Sequence, residues 1–209
     1  MPATDRTDHR RDRDATAARV IAAAATILAR DGATALGVNA LAKEAGCDKQ
    51  LIYRYFDGLD GVMAALGEAV ATRLASRLAE ARNSPAPDWP SFSQSLARGL
   101  LAACRADPLL GRIRAAEFAS PPGRLAPFVA ARGRVLQEWV VRTRPALPPP
   151  AGTDIPALHA LLVGAIEAAI LSAAASGALV GLPLQTDSDW ARLEQNLIAL
   201  IAAAYRGAG

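Results

Sequence analysis

Aromatic side chains make up only 5% of this 209-residue chain, and it has just two cysteines and two histidines. With Cys47, Cys104, His9 and His159 as the whole supply, no disulfide framework can form, and none of their spacings matches a zinc site. No metal and no cofactor are expected. Also missing is any run of alternating β-branched residues between turn signals, so no strand is predicted. Charge of one sign is scarce: 23 Lys/Arg against 20 Asp/Glu leave +3, weak evidence for an acidic partner. Residues 1–62 carry nine of each sign, so any binding of nucleic acid there must rest on a few placed groups. Enzyme chemistry lacks a convincing acid–base or nucleophile cluster. His159 and Glu167 lie eight residues apart with no third group to join them, and a satisfied interface histidine is the simpler reading.

What the chain does have is alanine, leucine, arginine and glutamate at helical spacing. The fold class is all-α, with about nine helices. Residues 1–14 are charged and poor in apolar groups, and read as a disordered arm. Its "RTDHRRDRD" could reach into a minor groove, as basic arms do, but three aspartates offset its four arginines and favour a solvated tail. Helices follow over Ala15–Asp31, Val38–Ala45, Lys49–Phe56 and Leu59–Arg82, punctuated by Gly32, Gly46 and Gly58. "NSPAPDWP" breaks the chain with three prolines. Further helices are predicted over Ser91–Ala106, Leu109–Ala119 and Arg124–Arg144, then, after "RPALPPPAG", over Asp154–Leu179 and Thr186–Arg206. The opening "MPATDRTDHRRDRD" is too charged for a secretion signal, and a reduced cytoplasm is the expected compartment. "ALHALLVGAIEAAILSAAASGALVGL" is long enough to cross a bilayer, but Glu167 near its middle and the lack of Lys/Arg between Arg144 and Arg192 favour a buried helix at a protein interface.

Two short helices joined by a turn holding Gly46, behind a packed first helix, make a helix-turn-helix pattern. With Ile52 and Phe56 toward the core, Gln50 and Arg54 face directly away. Lys49 and Tyr53 take one flank, Leu51 and Tyr55 the other. Such a face suits the major groove: Gln can read adenine, Lys or Arg guanine, and tyrosine hydroxyls can reach phosphate. From about Arg19 to Met63 the chain resembles the DNA-binding domain of the TetR family of bacterial transcriptional regulators. The resemblance rests on "VIAAAATILARDG", "VNALAKEAG" and "CDKQLIYRYF", with Tyr53 its most specific mark. It implies base-edge contacts from Lys49, Gln50 and Leu51, phosphate or mixed contacts from Tyr53 and Tyr55, and a groove-side cation at Arg54. The chain departs from the family at Gly37, where a Ser or Thr is usual and Asn39 can partly replace it. Leu59 stands where a lysine is favoured, Tyr55 where histidine is common, and Cys47 where valine usually plugs the turn.

The family architecture implies an N-terminal DNA-binding domain over residues 15–62 and a helical ligand-binding and dimerisation domain over 63–209. Ligand-pocket candidates are Phe92, Leu96, Leu100, Cys104, Glu117, Phe118 and Trp139. Small residues on the penultimate helix (Gly164, Ala168) and an apolar row on the last (Leu193, Leu197, Leu200, Ile201) suggest a homodimeric four-helix bundle. The expected function is a ligand-responsive regulator: a repressor released from a palindromic operator in double-stranded DNA by a small apolar effector. The alternative is a helical protein-interaction adaptor that has lost DNA binding.

Overall fold

The computed structural model describes residues 4–81 and 84–206. Among them are nine α-helices: α1 (Thr4–Asp31), α2 (Val38–Ala45), α3 (Lys49–Phe56), α4 (Leu59–Ala81), α5 (Trp89–Ala106), α6 (Pro108–Phe118), α7 (Ala126–Thr143), α8 (Ile155–Ser176) and α9 (Asp187–Arg206). The all-α expectation holds. One departure is a two-residue hairpin between α8 and α9, β1 (Ala178–Leu179) and β2 (Leu182–Pro183), paired antiparallel with Ala178 opposite Pro183. Val180 and Gly181, both at positive φ (48° and 82°), form its turn, as a two-residue hairpin loop of mirror-image type requires. Strands this short carry no alternation to detect, so α8 stops at Gly177 (φ 73°), short of the expected Leu179.

A second departure is at the start of the chain. The segment read as a disordered arm is helical from Thr4, because no glycine or proline interrupts residues 4–31 and α1 simply continues through the charges. Residues 1–3, and Arg82 as the predicted end of α4, lie outside the described residues.

The chain divides into two compact units, one of Met1–Thr72 with Arg112–Val135, the other of Arg73–Gly111 with Leu136–Gly209. The first therefore takes in more chain than residues 15–62. Its core packs Val20, Ala24 and Leu28 of α1 with Leu41 of α2 and Ile52 of α3, all fully buried. Phe128 of α7, also fully buried, closes over α4, where the backbones come so near that a Cβ on Gly67 would clash with the Phe128 carbonyl. Arg124, just ahead of α7, donates to the carbonyls of Ala33 (3.3 Å) and Leu36 (2.7 Å) in the α1–α2 connection.

The second unit surrounds an apolar core built mainly from α5, α8 and α9, with Phe92, Ile166 and Ile201 at most 1% exposed. Its helix starts are capped by side chains. Asp88 accepts from the Ser91 amide at 2.7 Å and Asp154 from the Ala157 amide at 3.0 Å. Ahead of α9, Thr186 and Asp189 cap each other: the Asp189 amide donates to the Thr186 hydroxyl, and the Asp189 carboxylate accepts from the Thr186 amide.

Candidate nucleic-acid interface

The turn between α2 and α3 is built by two local devices. Gly46 enters the left-handed region (φ 61°), its amide bonds the Lys43 carbonyl, and the Cys47 amide reaches back to the Ala42 carbonyl at 3.0 Å. That is the paired-bond ending that glycine supports without steric strain. Asp48 then starts α3, its carboxylate accepting from the Gln50 amide at 2.8 Å. Only two residues, Cys47 and Asp48, separate the Gly46 stop from the first residue of α3.

Ile52 is fully buried, and that anchor sets the rotation of α3. Lys49, Gln50 and Arg54 are exposed, Tyr53 is 56% exposed, and Leu51 and Tyr55 are half-buried. The structure therefore places Gln50 and Arg54 outward and Leu51 with Tyr55 on one flank. Arg54 donates to the Tyr55 hydroxyl at 2.8 Å, and its guanidinium sits 4.9 Å from that ring's centroid. Asn39 is exposed in the first turn of α2. Gly37 serves as the N-cap of α2 without any side-chain hydrogen bond, the direct result of having no hydroxyl there. Cys47 is half-buried in the turn.

Sequence reasoning missed a partner of this face. Arg13, on the segment taken for a solvated tail, lies with its guanidinium 5.3 Å from the Tyr55 ring centroid. Its spacing from Thr16 and Val20, three and seven residues on, was the available signal.

The ligand-pocket candidates fall in both compact units. Phe92, Leu100 and Trp139 are buried in the second unit's core, with Leu96 and Cys104 packed against it. The Phe92 and Trp139 rings stack with centroids 6.3 Å apart, and the buried Trp139 Nε1 has no hydrogen-bond partner. Burial, reinforced by Glu167 and Asp107, pushes the Cys104 thiol up to about 11. Glu117 and Phe118, by contrast, belong to the first unit. Glu117 is bound by Arg132 (Nη2–Oε1 2.8 Å) and Arg114 (2.8 Å), while Phe118 is 63% exposed beneath the Arg114 guanidinium. Burial raises the Glu117 carboxyl, but the two guanidiniums more than offset it and leave it below the usual range. Glu117 is thus an ion-paired carboxylate and Phe118 a solvent-facing ring.

A polar chain inside the second unit was also not foreseen. The fully buried Ser93 hydroxyl lies 2.8 Å from His159 Nε2 and 2.8 Å from the Tyr205 hydroxyl. His159 is thus a hydrogen-bonded histidine, and burial depresses its pKa.

The assembly candidates split likewise. Gly164 and Ala168 are exposed on α8, and Leu200 is 67% exposed on α9. Ile201 is fully buried, Leu197 is 8% exposed and Leu193 packs half-buried, all against the subunit's own core. The inward row of α9, Leu197 and Ile201 included, thus packs into the chain's own core, while Leu200 stays exposed.

Comparison with known proteins agrees with this geometry. Residues 20–66 match the family of bacterial regulatory proteins called the tetR family. Across the whole chain the fold resembles a TetR family transcription regulator from Marinobacter aquaeolei VT8, at TM-score 0.63 and 16% identity, covering 93% of this chain and 97% of that one. It also resembles the transcriptional regulator FadR from Bacillus subtilis, in complex with stearoyl-CoA (TM-score 0.60, 15% identity, 89% and 97% covered). A third likeness is to the multidrug binding protein EbrR complexed with imidazole (TM-score 0.59, 19% identity, 90% and 93% covered). No curated protein matches the chain in sequence.

Proposed function

We propose, for a chain whose residues 20–66 are a tetR-family regulatory domain within that family's overall fold, a homodimeric, ligand-responsive transcriptional repressor. The observation that carries the reading is α3 itself. It is capped by Asp48 and locked in rotation by Ile52, and it holds Lys49, Gln50 and Arg54 toward solvent together. Gln50 and Lys49 read base edges in the major groove, with Leu51 in apolar contact. Tyr53 and Tyr55 bond phosphate, Arg54 supplies a groove-side charge, and Asn39 stands in for the hydroxyl missing at Gly37.

Dimerisation is assigned to the outward faces of α8 and α9. Leu161 (73% exposed), Gly164 and Ala168 are exposed on α8, and Leu200 on α9. α8 is long and apolar enough to cross a membrane by length and composition, but its apolar face also suits a second copy of the same helix. A two-fold dimer places two copies of α3 on one side of the duplex, which makes the operator palindromic. The stearoyl-CoA bound to FadR and the imidazole bound to EbrR support a small-molecule effector here, taken up among Phe92, Leu96, Leu100, Cys104 and Trp139. Effector binding favours a dimer state whose recognition helices no longer match the operator, and DNA is released by population shift. Residues 15–62 read DNA, the rest of the chain answers to the ligand, and the protein works in the cytoplasm.

The test is selection of bound genomic fragments by the purified full chain at stated salt, followed by sequencing. The reading expects a shared inverted repeat with half-sites about one helical turn apart, roughly 10 base pairs. Fragments with no common sequence would refute it.

A further inference from the structure

α1 reaches the recognition helix with its charged N-terminal turns. Arg13, Thr16 and Val20 follow one another at steps of three and four, so they share a helix face. Val20 is fully buried, Thr16 is 9% exposed and Arg13 is exposed, so this row leaves the core at Arg13. There it meets the flank of α3. The Arg13 and Arg54 guanidiniums lie 5.3 and 4.9 Å from the same Tyr55 ring centroid, which brings the two charges within about 10 Å, one Debye length at moderate salt. With Asp12, Thr16 and Leu51, these three residues line a recess of about 420 Å³. Two guanidiniums against one carboxylate leave the recess net positive.

We propose that this recess between α1 and α3 is a phosphate-binding notch for the DNA backbone, with Arg13 as a DNA contact that holds one strand against the recognition helix. The inference rests on the DNA-binding reading above and adds to it a residue from outside the family-matched segment 20–66. A guanidinium stacked on an aromatic ring keeps its in-plane N–H groups free to fork onto phosphate oxygens. The stack also fixes the side chain beforehand, so less rotamer freedom is lost on binding. The Tyr55 hydroxyl accepts from Arg54 and retains its own proton to donate to the same phosphate. Such a contact orients α3 without reading sequence.

The experiment measures affinity of the full chain for its selected operator and for a random duplex across a salt series. Arg13→Gln should weaken both duplexes alike and flatten the plot of log affinity against log salt by about 0.9 per bound subunit, the effect of one lost phosphate contact. Arg13→Lys, which keeps the charge, should keep the slope. A Gln variant with the wild-type slope overturns the notch while leaving the DNA-binding reading intact, as does a loss confined to the operator. A wild-type chain that binds neither duplex overturns both.

Discussion

Leu200 and Ile201 are neighbours in sequence, and their exposures of 67% and 0% give them opposite expected phenotypes. Fully burying a leucine side chain is worth about 1.5–3 kcal/mol, so covering the exposed parts of Leu161 and Leu200 contributes about 1–2 kcal/mol each. A two-fold interface uses each side chain twice. Replacing both by alanine should therefore remove about 4–8 kcal/mol from association, a weakening of at least roughly a thousandfold in Kd. The subunit itself should stay folded, since neither side chain is in its core. Ile201→Ala should do the reverse, lowering subunit stability by about 2–5 kcal/mol through a core cavity without opening the interface. Sedimentation equilibrium at micromolar protein, paired with urea melts read by circular dichroism, separates the two. The reasoning is refuted if the Leu161/Leu200 variant sediments as the wild type does, or if the wild type is already a monomer. It is also refuted if Ile201→Ala dissociates the protein with no change in its melt.

Gln50→Ala should cost about 1–3 kcal/mol on the operator and flatten the preference at one base pair per half-site, whereas Tyr53→Phe should weaken every duplex alike; binding across single-base operator variants distinguishes the roles, and an equal loss for Gln50→Ala on all sequences contradicts base reading. Val180 is a fully exposed β-branched residue at φ 48°. Val180→Asn, which suits the left-handed turn and loses no packing, should stabilise by about 1 kcal/mol and raise the melting temperature by about 2–4 °C; an unchanged melt would count against strain there. Burial depresses the His159 pKa below its unfolded value near 6.5. The unfolded chain then binds the proton more readily, so stability is held above about pH 6.5 and lost as pH falls below it. His159→Gln should remove that loss between about pH 6.5 and 5 in thermal melts, and persistence of the same slope would assign it elsewhere.

The turn signals were legible because each is local. Gly46 ends α2 and Asp48 starts α3 through bonds made within a few residues, and both helices have the bounds expected from sequence. Periodicity also ranked faces correctly: Ile52 inward, Gln50 and Arg54 outward. It failed on the question of what covers a face. Leu197 and Ile201 do share a stripe, but they are buried in the chain's own core, where α5 packs against α9, so charges placed there would unfold the chain and not probe an interface. Glu117 has one partner at helical spacing, Arg114 three residues before it, but Arg132, fifteen residues further on, leaves no such mark in the sequence. The charged N-terminus looked solvated because Tyr55, the ring that Arg13 meets, lies forty-two residues further along the chain. A pairing across such distances leaves no periodic trace.

The way the first unit closes has a consequence for engineering. The face proposed to read DNA lies within residues 38–56, but Phe128, set hard against Gly67, and Arg124, holding the Ala33 and Leu36 carbonyls, come from much later in the chain. The unit is therefore not a cassette. A chimera spliced after residue 66 would separate α1 to α3 from Arg124 and Phe128 and leave the Ala33 and Leu36 carbonyls without that partner. Exchanging operator specificity between relatives of this fold should go through the exposed side chains of α3, or else move residues 112–135 together with the first 72.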